Sequence, residues 1–224
     1  MINFPTVIVD NFYKEPDKVR EFALKQDFLN SPGNYPGKRT KFIHELNRDL
    51  FIGFCSKLFS IYYPQPDIKW LVNTAFWKVG TLDSDPLSPK NMGWIHEDGC
   101  LMAGVVYLTP GFNNKLGTTI YKQVKEKEPI DGKSMHKFYA SNIDGNFDAN
   151  ITKNNSAFEE TTKVGNEYNR LICFDGKISH SPSHYYMGNE TRLVQVFFVQ
   201  NIESSIPNPM QRIRDYDNIP YDSL

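Results

Sequence analysis

Residues 94–111 of this 224-residue chain read WIHEDGCLMAGVVYLTPG, and they hold the pattern on which the interpretation depends. His96 and Asp98 lie two residues apart, so on a β-strand both side chains point to the same side. The apolar run from Leu101 to Thr109 is typical of a buried strand and ends at a Pro-Gly pair. The two polar side chains are therefore predicted at the end of a rigid sheet, with Glu97 on the opposite, solvated side.

A second histidine completes the pattern, because His180 follows Asp98 by 82 residues. Two histidines and one carboxylate can occupy one face of an octahedral metal, which leaves the opposite face open, as in non-haem Fe(II) sites. His184 is the alternative ligand, but Pro182 argues against the helix that would place both histidines on one side. We predict His96, Asp98 and His180 as metal ligands and catalytic residues, with His184 at the rim or in a hydrogen bond.

Arg192 lies twelve residues beyond His180 and opens an apolar strand. The two-residue period of a strand places it on the same face as three apolar side chains, those of Val194, Val196 and Phe198. A buried arginine needs an anionic partner, either a structural Asp or Glu or the carboxylate of a ligand. The two-pronged geometry of a guanidinium favours the ligand carboxylate.

The remaining pattern predicts two helices followed by about eight short strands. The helices are expected over about Pro16–Lys25 and Glu45–Ser60, with a Gly- and Pro-rich loop from Ser31 to Thr40. Outside residues 94–111, strands are expected at Thr6–Val9, Leu71–Val79, Gly117–Val124, Phe158–Val164, Arg170–Asp175 and Leu193–Gln200. This order indicates a mainly β protein with flanking helices, built as a double-stranded β-helix (a jelly roll or cupin-like fold). A jelly roll brings distant strands together, which explains how His180 can reach Asp98.

We expect one domain over residues 1–224. Helical support occupies about 1–66, and the jelly-roll core occupies about 70–200. The polar, Asn- and Lys-rich segment 125–155 is predicted to be a surface insertion, as a lid or a hairpin. The tail 201–224 is expected to lie over the surface.

The net charge and the cysteine content indicate which partners and which cellular compartment to expect. The net charge of −1 argues against binding of nucleic acid by bulk charge. A local basic patch formed by Lys122, Lys125 and Lys127, and also by Lys38-Arg39, stays open as an alternative, although a Lys-rich insertion is usually a solvated face. Three widely spaced cysteines without a CxxC pair favour a reducing cytoplasm. The sequence shows no signal peptide and no apolar run long enough to span a membrane.

Taken together, residues 72–199 resemble the 2-oxoglutarate/Fe(II)-dependent oxygenase superfamily. The resemblance is closest to its prolyl-4-hydroxylase-like branch, including small bacterial and phage-type members of unassigned substrate. It is carried by His96-x-Asp98, Gly104-Val-Val-Tyr107-Leu-Thr-Pro110, Gly117-Thr-Thr-Ile-Tyr121, Asn169-Arg-Leu-Ile-Cys-Phe-Asp-Gly176, His180 and Arg192. The sequence departs from compact members in its longer gap between Asp98 and His180, and in having one glycine near Gly117 where the family often has two.

The resemblance implies Fe(II) bound by His96, Asp98 and His180, with 2-oxoglutarate and O2 as cosubstrates. Arg192 is then expected to bind the 5-carboxylate of 2-oxoglutarate, with support from Tyr107. The implied reaction hydroxylates an unidentified substrate, either a peptide or protein side chain or a small metabolite, and releases succinate and CO2. Two alternatives remain at this point: a jelly-roll protein that binds metal without catalysis, and a cupin-type hydrolase or isomerase, although the HxH pair usual in cupins is absent.

Overall fold

Two antiparallel sheets form the centre of the protein, which a computed structural model describes over residues 1–31, 35–64, 68–111, 113–127 and 147–215, the side chains of 113–115 excepted. The strands are β1 Val7–Val9, β2 Leu29–Asn30, β3 Lys38–Arg39, β4 Lys69–Gly80, β5 Met102–Tyr107, β6 Asn113–Gln123, β7 Phe158–Asn166, β8 Leu171–Asp175, β9 His180–Pro182 and β10 Thr191–Glu203. The helices are α1 Pro16–Leu24, α2 Ile43–Leu46, α3 Arg48–Ser60, α4 Phe147–Asn155 and α5 Pro209–Asp215, with a 3-10 turn at Pro89–Asn91. The predicted class, mainly β with flanking helices, is confirmed.

The strand order places distant parts of the chain side by side. The larger sheet runs β1-β8-β5-β10-β4-β3-β2, and the smaller runs β7-β6-β9. A bridge between His96 and His180 adds the segment before β5 to the edge of the smaller sheet. From β4 onward the chain passes back and forth between the two sheets, as the strands of a jelly roll do.

Strand β10 is buried on both faces. Leu193, Phe197 and Val199 belong to the core beneath α1 and α3, and Val194 and Val196 face the interior between the sheets. The N-terminal helices thus cover the outer face of the larger sheet, which leaves its inner face for the site described below.

Two predicted elements differ locally from the structure. The helix expected over Glu45–Ser60 is divided at Asn47, whose backbone is extended (φ −157°) and whose side chain accepts a hydrogen bond from Leu50 N at 2.9 Å. Such a cap starts a new helix, because it satisfies an amide with no partner inside the helix. The expected loop from Ser31 to Thr40 contains β3, which pairs with β4 through Arg39 and Trp77.

The predicted insertion and tail are more ordered than expected where the structure describes them. Helix α4 ends the insertion and buries Phe147 and Ile151, so this part is not a surface hairpin. The tail contains α5, in which Arg212 Nη2 donates to Tyr62 O at 2.7 Å. Residues 128–146 and 216–224 lie outside the described residues, so the lid interpretation stays a prediction. In the described ranges, every helix is too short or too polar to cross a membrane.

Close contact between strands makes one glycine sensitive to substitution. A Cβ at Gly104 on β5 would lie 2.1 Å from Ile172 O and 2.6 Å from the Phe197 ring. Gly104→Ala should therefore lower the free energy of unfolding by about 1–3 kcal/mol in chemical denaturation, since both neighbours are tightly packed.

Gly53→Ala is the matched control for this prediction. Gly53 lies in α3 with open space around its Cβ position, so alanine there should raise the free energy of unfolding by up to about 1 kcal/mol. Equal effects of the two substitutions would contradict the packing described for β5.

Candidate metal centre

His96, Asp98 and His180 meet at one point between the sheets. His96 Nε2 lies 3.6 Å from Asp98 Oδ1, and His180 Nε2 lies 3.3 Å from Asp98 Oδ2. One ligand atom from each of the three residues lies within 4.8 Å of the other two, so a single metal ion can contact all of them. Their side chains are largely shielded from solvent, with exposed fractions of 26%, 14% and 8%.

Backbone hydrogen bonds fix the spacing of the two histidines. His96 N donates to His180 O at 3.0 Å, and His180 N donates to His96 O at 2.9 Å. Asp98 N donates to Gly176 O at 2.8 Å, so the carboxylate is held against the turn before His180. A Cβ at Gly176 would lie 2.0 Å from Cys100 O, which explains why this turn requires glycine.

Both imidazoles are oriented by the main chain. His96 Nδ1 lies 2.7 Å from Trp94 O, and His180 Nδ1 lies 2.8 Å from Ile178 O. Because a carbonyl only accepts, each Nδ1 carries the proton in these bonds, and each Nε2 keeps its lone pair. This arrangement is usual for histidines that bind metals.

The electrostatics favour the protonation states that metal binding needs. Burial, together with the neighbouring His180, lowers the pKa of His96 to about 4, so its imidazole is neutral at neutral pH. Burial alone would raise the pKa of Asp98, but the adjoining imidazoles of His180 and His96 and the positive charge of Arg39 lower it by more. The net direction is downward, so Asp98 is a carboxylate.

The turn before His180 depends on a buried carboxylate. Asp175 Oδ2 accepts from Asn3 N at 2.7 Å and from Phe4 N at 3.2 Å, and its Oδ1 accepts from Lys177 N at 3.0 Å. The N-terminus is thereby attached to the turn that carries His180.

Helix α4 holds the segment that leads into His96. Asn155 Oδ1 accepts from Ile95 N at 3.1 Å, and Asn155 Nδ2 donates to Gly93 O at 2.9 Å. Asn154 Nδ2 donates to Ile95 O at 3.0 Å. The two amides replace the strand partner that the segment would have within a continuous sheet, so α4 positions the first histidine.

A cavity of about 350 Å³ adjoins the three residues, and Arg192 lines it. The four alternate residues of β10 all line this cavity, which confirms their predicted shared face: Arg192, Val194, Val196 and Phe198. Arg192 is 3% exposed, its Nη1 donates to Gly117 O at 3.4 Å, and its Nε has no hydrogen-bond partner. Within the described ranges, no Asp or Glu forms an ion pair with it, so the structural-carboxylate alternative has no support there.

Tyr107 lines the same cavity and is buried. Its hydroxyl lies 2.8 Å from Thr118 Oγ1, and burial raises its pKa, against the opposing effects of Thr118 and the positive charge of Arg192. Tyr107 is therefore a neutral phenol beside a guanidinium, which suits a shared role in binding an anion.

The other candidate residues divide between the cavity and the rest of the molecule. His184 is half-buried and accepts from Tyr186 N at 3.0 Å, as expected of a hydrogen-bonding residue, and the cluster of metal-ligating side chains in the described ranges does not include it. Glu97 is exposed, as predicted, but it also lines the cavity, so its expected place on the opposite side is wrong. Trp94 and Phe174 line the cavity, whereas Phe76 belongs to the core beneath the helices.

One comparison with known proteins identifies a family for this chain. Residues 3–184 match the model of a family of unknown function, DUF6445. The chain belongs to this family. No curated protein sequence matches the chain.

Solved structures with a similar fold contain metals and 2-oxoglutarate. HygX from Streptomyces hygroscopicus, with nickel and 2-oxoglutarate bound, has a TM-score of 0.52 at 11% identity and covers 88% of this chain and 83% of its own. The epimerase SnoN, in complex with Fe3+, alpha ketoglutarate and nogalamycin RO, has a TM-score of 0.53 at 10% identity and covers 97% and 86%. The carbocyclase SnoK, from nogalamycin biosynthesis, has a TM-score of 0.51 at 8% identity and covers 96% and 87%. At these identities the likeness shows the fold, so the predicted jelly roll is confirmed, while the prolyl-4-hydroxylase-like branch stays a prediction.

Sequence reasoning did not place Arg39 in the cavity, because Lys38-Arg39 was considered only as part of a possible local basic patch. Its guanidinium lines the cavity and lies 3.7 Å from the centre of the Tyr35 ring. The pairing of Arg39 with Trp77 decides which side of β3 faces inward, and a two-residue strand leaves no periodic signal from which this pairing can be predicted.

The asparagine contacts of α4 predict a local weakening on substitution. Asn155→Ala removes partners from Gly93 O and Ile95 N, so it should lower the free energy of unfolding by about 1–3 kcal/mol and accelerate hydrogen exchange at the Ile95 amide. Chemical denaturation and amide exchange measured by NMR check this.

Thr152→Ala is the matched control, because Thr152 lies on the exposed side of the same helix. It should leave the Ile95 amide unchanged. An unchanged exchange rate in Asn155→Ala would show that α4 does not hold this segment.

Proposed function

We propose that the protein is a non-haem Fe(II) dioxygenase that uses 2-oxoglutarate and O2 to hydroxylate its substrate, with release of succinate and CO2. The observation that carries the proposal is Arg192, a buried guanidinium with an unpartnered Nε in the same cavity as His96, Asp98 and His180. A buried arginine without a carboxylate partner is costly, and a dicarboxylate held at the metal would remove that cost. A site with a purely structural metal has no use for this arginine.

The residues present fit the proposed metal and cosubstrate. Two imidazoles with free Nε2 atoms and one carboxylate form a facial donor set suited to Fe(II). Arg192 and Tyr107 offer donors for the far carboxylate of 2-oxoglutarate. When bound, the iron and 2-oxoglutarate supply the activation of O2 and the oxidising power for hydroxylation.

The chain's own residues orient and shield these groups. His96 and His180 keep their protons on Nδ1 throughout, because Trp94 O and Ile178 O accept them. Arg192 and Tyr107, both buried in the cavity wall, would orient the cosubstrate when it is bound. The apolar side chains of β10 and the Phe174 ring exclude water from its walls, which strengthens every ionic contact inside.

The substrate is proposed to be a small metabolite or a single side chain of a peptide or protein. A cavity of about 350 Å³ lies at the small end of the range for ligand sites. Because an epimerase and a carbocyclase share this fold, consumption of 2-oxoglutarate is a broader test than detection of a hydroxylated product. We also propose a cytoplasmic location, in keeping with the free thiols of Cys55, Cys100 and Cys173.

Binding of Fe(II) and then of 2-oxoglutarate without O2 tests the proposal. The wild-type protein should bind Fe(II), develop a visible charge-transfer band on addition of 2-oxoglutarate, and form succinate once air is admitted. His96→Ala should abolish the band, since it removes one of the three metal ligands. Arg192→Gln should keep Fe(II) binding but weaken 2-oxoglutarate binding by roughly 30-fold or more, as expected when one partner of a buried charge pair is lost.

Arg48→Gln, at an exposed position on α3, is the control and should behave as wild type. Metal binding without any response to 2-oxoglutarate would favour the alternative, a jelly-roll protein that binds metal without catalysis. If the wild-type protein binds no divalent metal, both the proposed dioxygenase function and this alternative are wrong.

The Tyr107 hydroxyl should make a smaller contribution than Arg192. Tyr107→Phe removes one neutral hydrogen-bonding group, worth about 0.5–1.5 kcal/mol, so 2-oxoglutarate affinity should fall roughly 2- to 13-fold. Titration of the charge-transfer band measures this. Thr118→Val is the companion variant: it removes the neighbouring hydroxyl, and if Tyr107 acts through its own contact with the cosubstrate, the effect of Thr118→Val should be the smaller of the two.

A further inference from the structure

A second arginine, Arg39 on β3 of the larger sheet, lines the cavity that contains the metal centre. Arg39 lies on β3, and its guanidinium sits over the Tyr35 ring at 3.7 Å, with the centres of the Trp77 and Phe198 rings at 5.4 and 5.6 Å. These aromatic side chains hold the guanidinium in place, because a cation is attracted to ring faces. Arg39 is thus a fixed group of the cavity wall.

Arg39 has no anionic partner among the described residues. Its Nε is buried without a hydrogen bond, and in the described ranges no Asp or Glu forms an ion pair with it. Burial lowers the pKa of Arg39, while electrostatic interactions with Tyr35, Asp98 and Tyr185 oppose this change. Arg39 therefore interacts electrostatically with the carboxylate of the metal centre. Neither its own surroundings nor Asp98 satisfies its Nε donor.

The balance of charge in the cavity indicates the kind of ligand that is missing. Apart from the histidines, the Asp, Glu, Lys and Arg residues that line this cavity among the described residues are Arg39, Arg192, Asp98 and the exposed Glu97. The Glu97 carboxylate is solvated and accepts from Ser179 Oγ at 3.3 Å, so water screens it. With a divalent cation and dianionic 2-oxoglutarate in place, Asp98 and the cosubstrate offset the metal and one arginine, which leaves the second arginine uncompensated.

A second cavity continues beyond Arg39 towards the surface. It has a volume of about 300 Å³ and shares Tyr35, Arg39, Val196 and Phe198 with the first cavity. Arg39 therefore lies where the two cavities meet. The second cavity is also lined by the charged side chains of Lys41 and Glu45.

We propose that Arg39 binds an oxyanion, a carboxylate or a phosphate, on the substrate of this enzyme. The inference rests on the proposed function and adds to it a substrate class: molecules that carry a carboxylate or a phosphate group. The guanidinium offers a planar fork of donors that matches either oxyanion. In this proposal Arg192 binds the far carboxylate of 2-oxoglutarate, and Arg39 binds the anionic group of the substrate.

Binding of small probes to the protein loaded with Zn(II) and 2-oxoglutarate tests this assignment. The probes are phenylacetate, phenyl phosphate and neutral phenylacetamide, whose ring suits the aromatic surroundings of Arg39, and calorimetry measures their Kd. Wild type should bind at least one anion roughly tenfold or more tightly than the amide. The anion that binds identifies the carboxylate or phosphate source.

Three variants make the result specific to Arg39. Arg39→Gln should raise the Kd of the preferred anion to that of the amide, and Arg39→Lys should restore part of the preference. Lys38→Gln, next to it on β3 but exposed, should leave the preference unchanged. All three should keep 2-oxoglutarate affinity within about twofold, in contrast to Arg192→Gln.

Several outcomes would overturn the assignment. One is a wild type that binds the amide as tightly as both anions. Another is an Arg39→Gln variant that behaves as Lys38→Gln does, and a third is loss of 2-oxoglutarate binding in Arg39→Gln, which would place Arg39 in the cosubstrate site. If wild type fails to bind 2-oxoglutarate, the proposed function fails separately, and the probe comparison on the protein with Zn(II) alone still decides the role of Arg39.

Discussion

The pair of backbone hydrogen bonds between His96 and His180 is the constraint on which the site depends. These bonds join the end of a loop to a three-residue strand, and they set the separation of two imidazoles that lie 84 positions apart in the chain. Everything else around the site supports this junction. Asp175 shapes the turn on one side, Gly176 lets the Asp98 loop approach, and the amides of α4 hold the segment on the other side.

The two faces of the larger sheet have different roles: the outer face forms the apolar core, and the inner face lines the cavity. Its outer face packs against α1 and α3 through apolar side chains, and its inner face carries Arg192 among Val194, Val196 and Phe198. A cationic side chain is tolerated on the inner face because rings of Trp77 and Tyr185 lie 5.7 and 5.8 Å from its guanidinium, and because a ligand can complete its hydrogen bonds. Arg192 is 3% exposed, so these inner-face groups shield its guanidinium from solvent.

Much of the fold and of the candidate site could be predicted from the sequence because the informative patterns were local. The two-residue period of β10 predicted the face of Arg192, and the His96-x-Asp98 spacing predicted two side chains that meet. The strand expected to carry this pair is not formed, because His96 makes only an isolated bridge and β5 begins at Met102. What could not be predicted depended on long-range pairing. The direction of Arg39 is decided by its partner Trp77, and the role of α4 is decided by amide contacts with residues 59 to 62 positions away. Polar composition suggested a solvated insertion because asparagine side chains that satisfy a distant backbone look the same in sequence as those that face water.

The junction between His96 and His180 could couple the stability of the fold to the concentration of a metal ion. A cation held by residues 96, 98 and 180 would act as a removable crosslink across more than a third of the chain, with the histidines as its two anchor points. Such a link closes a long loop, and it binds only when both sheets are already in register. The availability of the ion would then decide how often the smaller sheet opens, and with it how long the chain resists proteolysis.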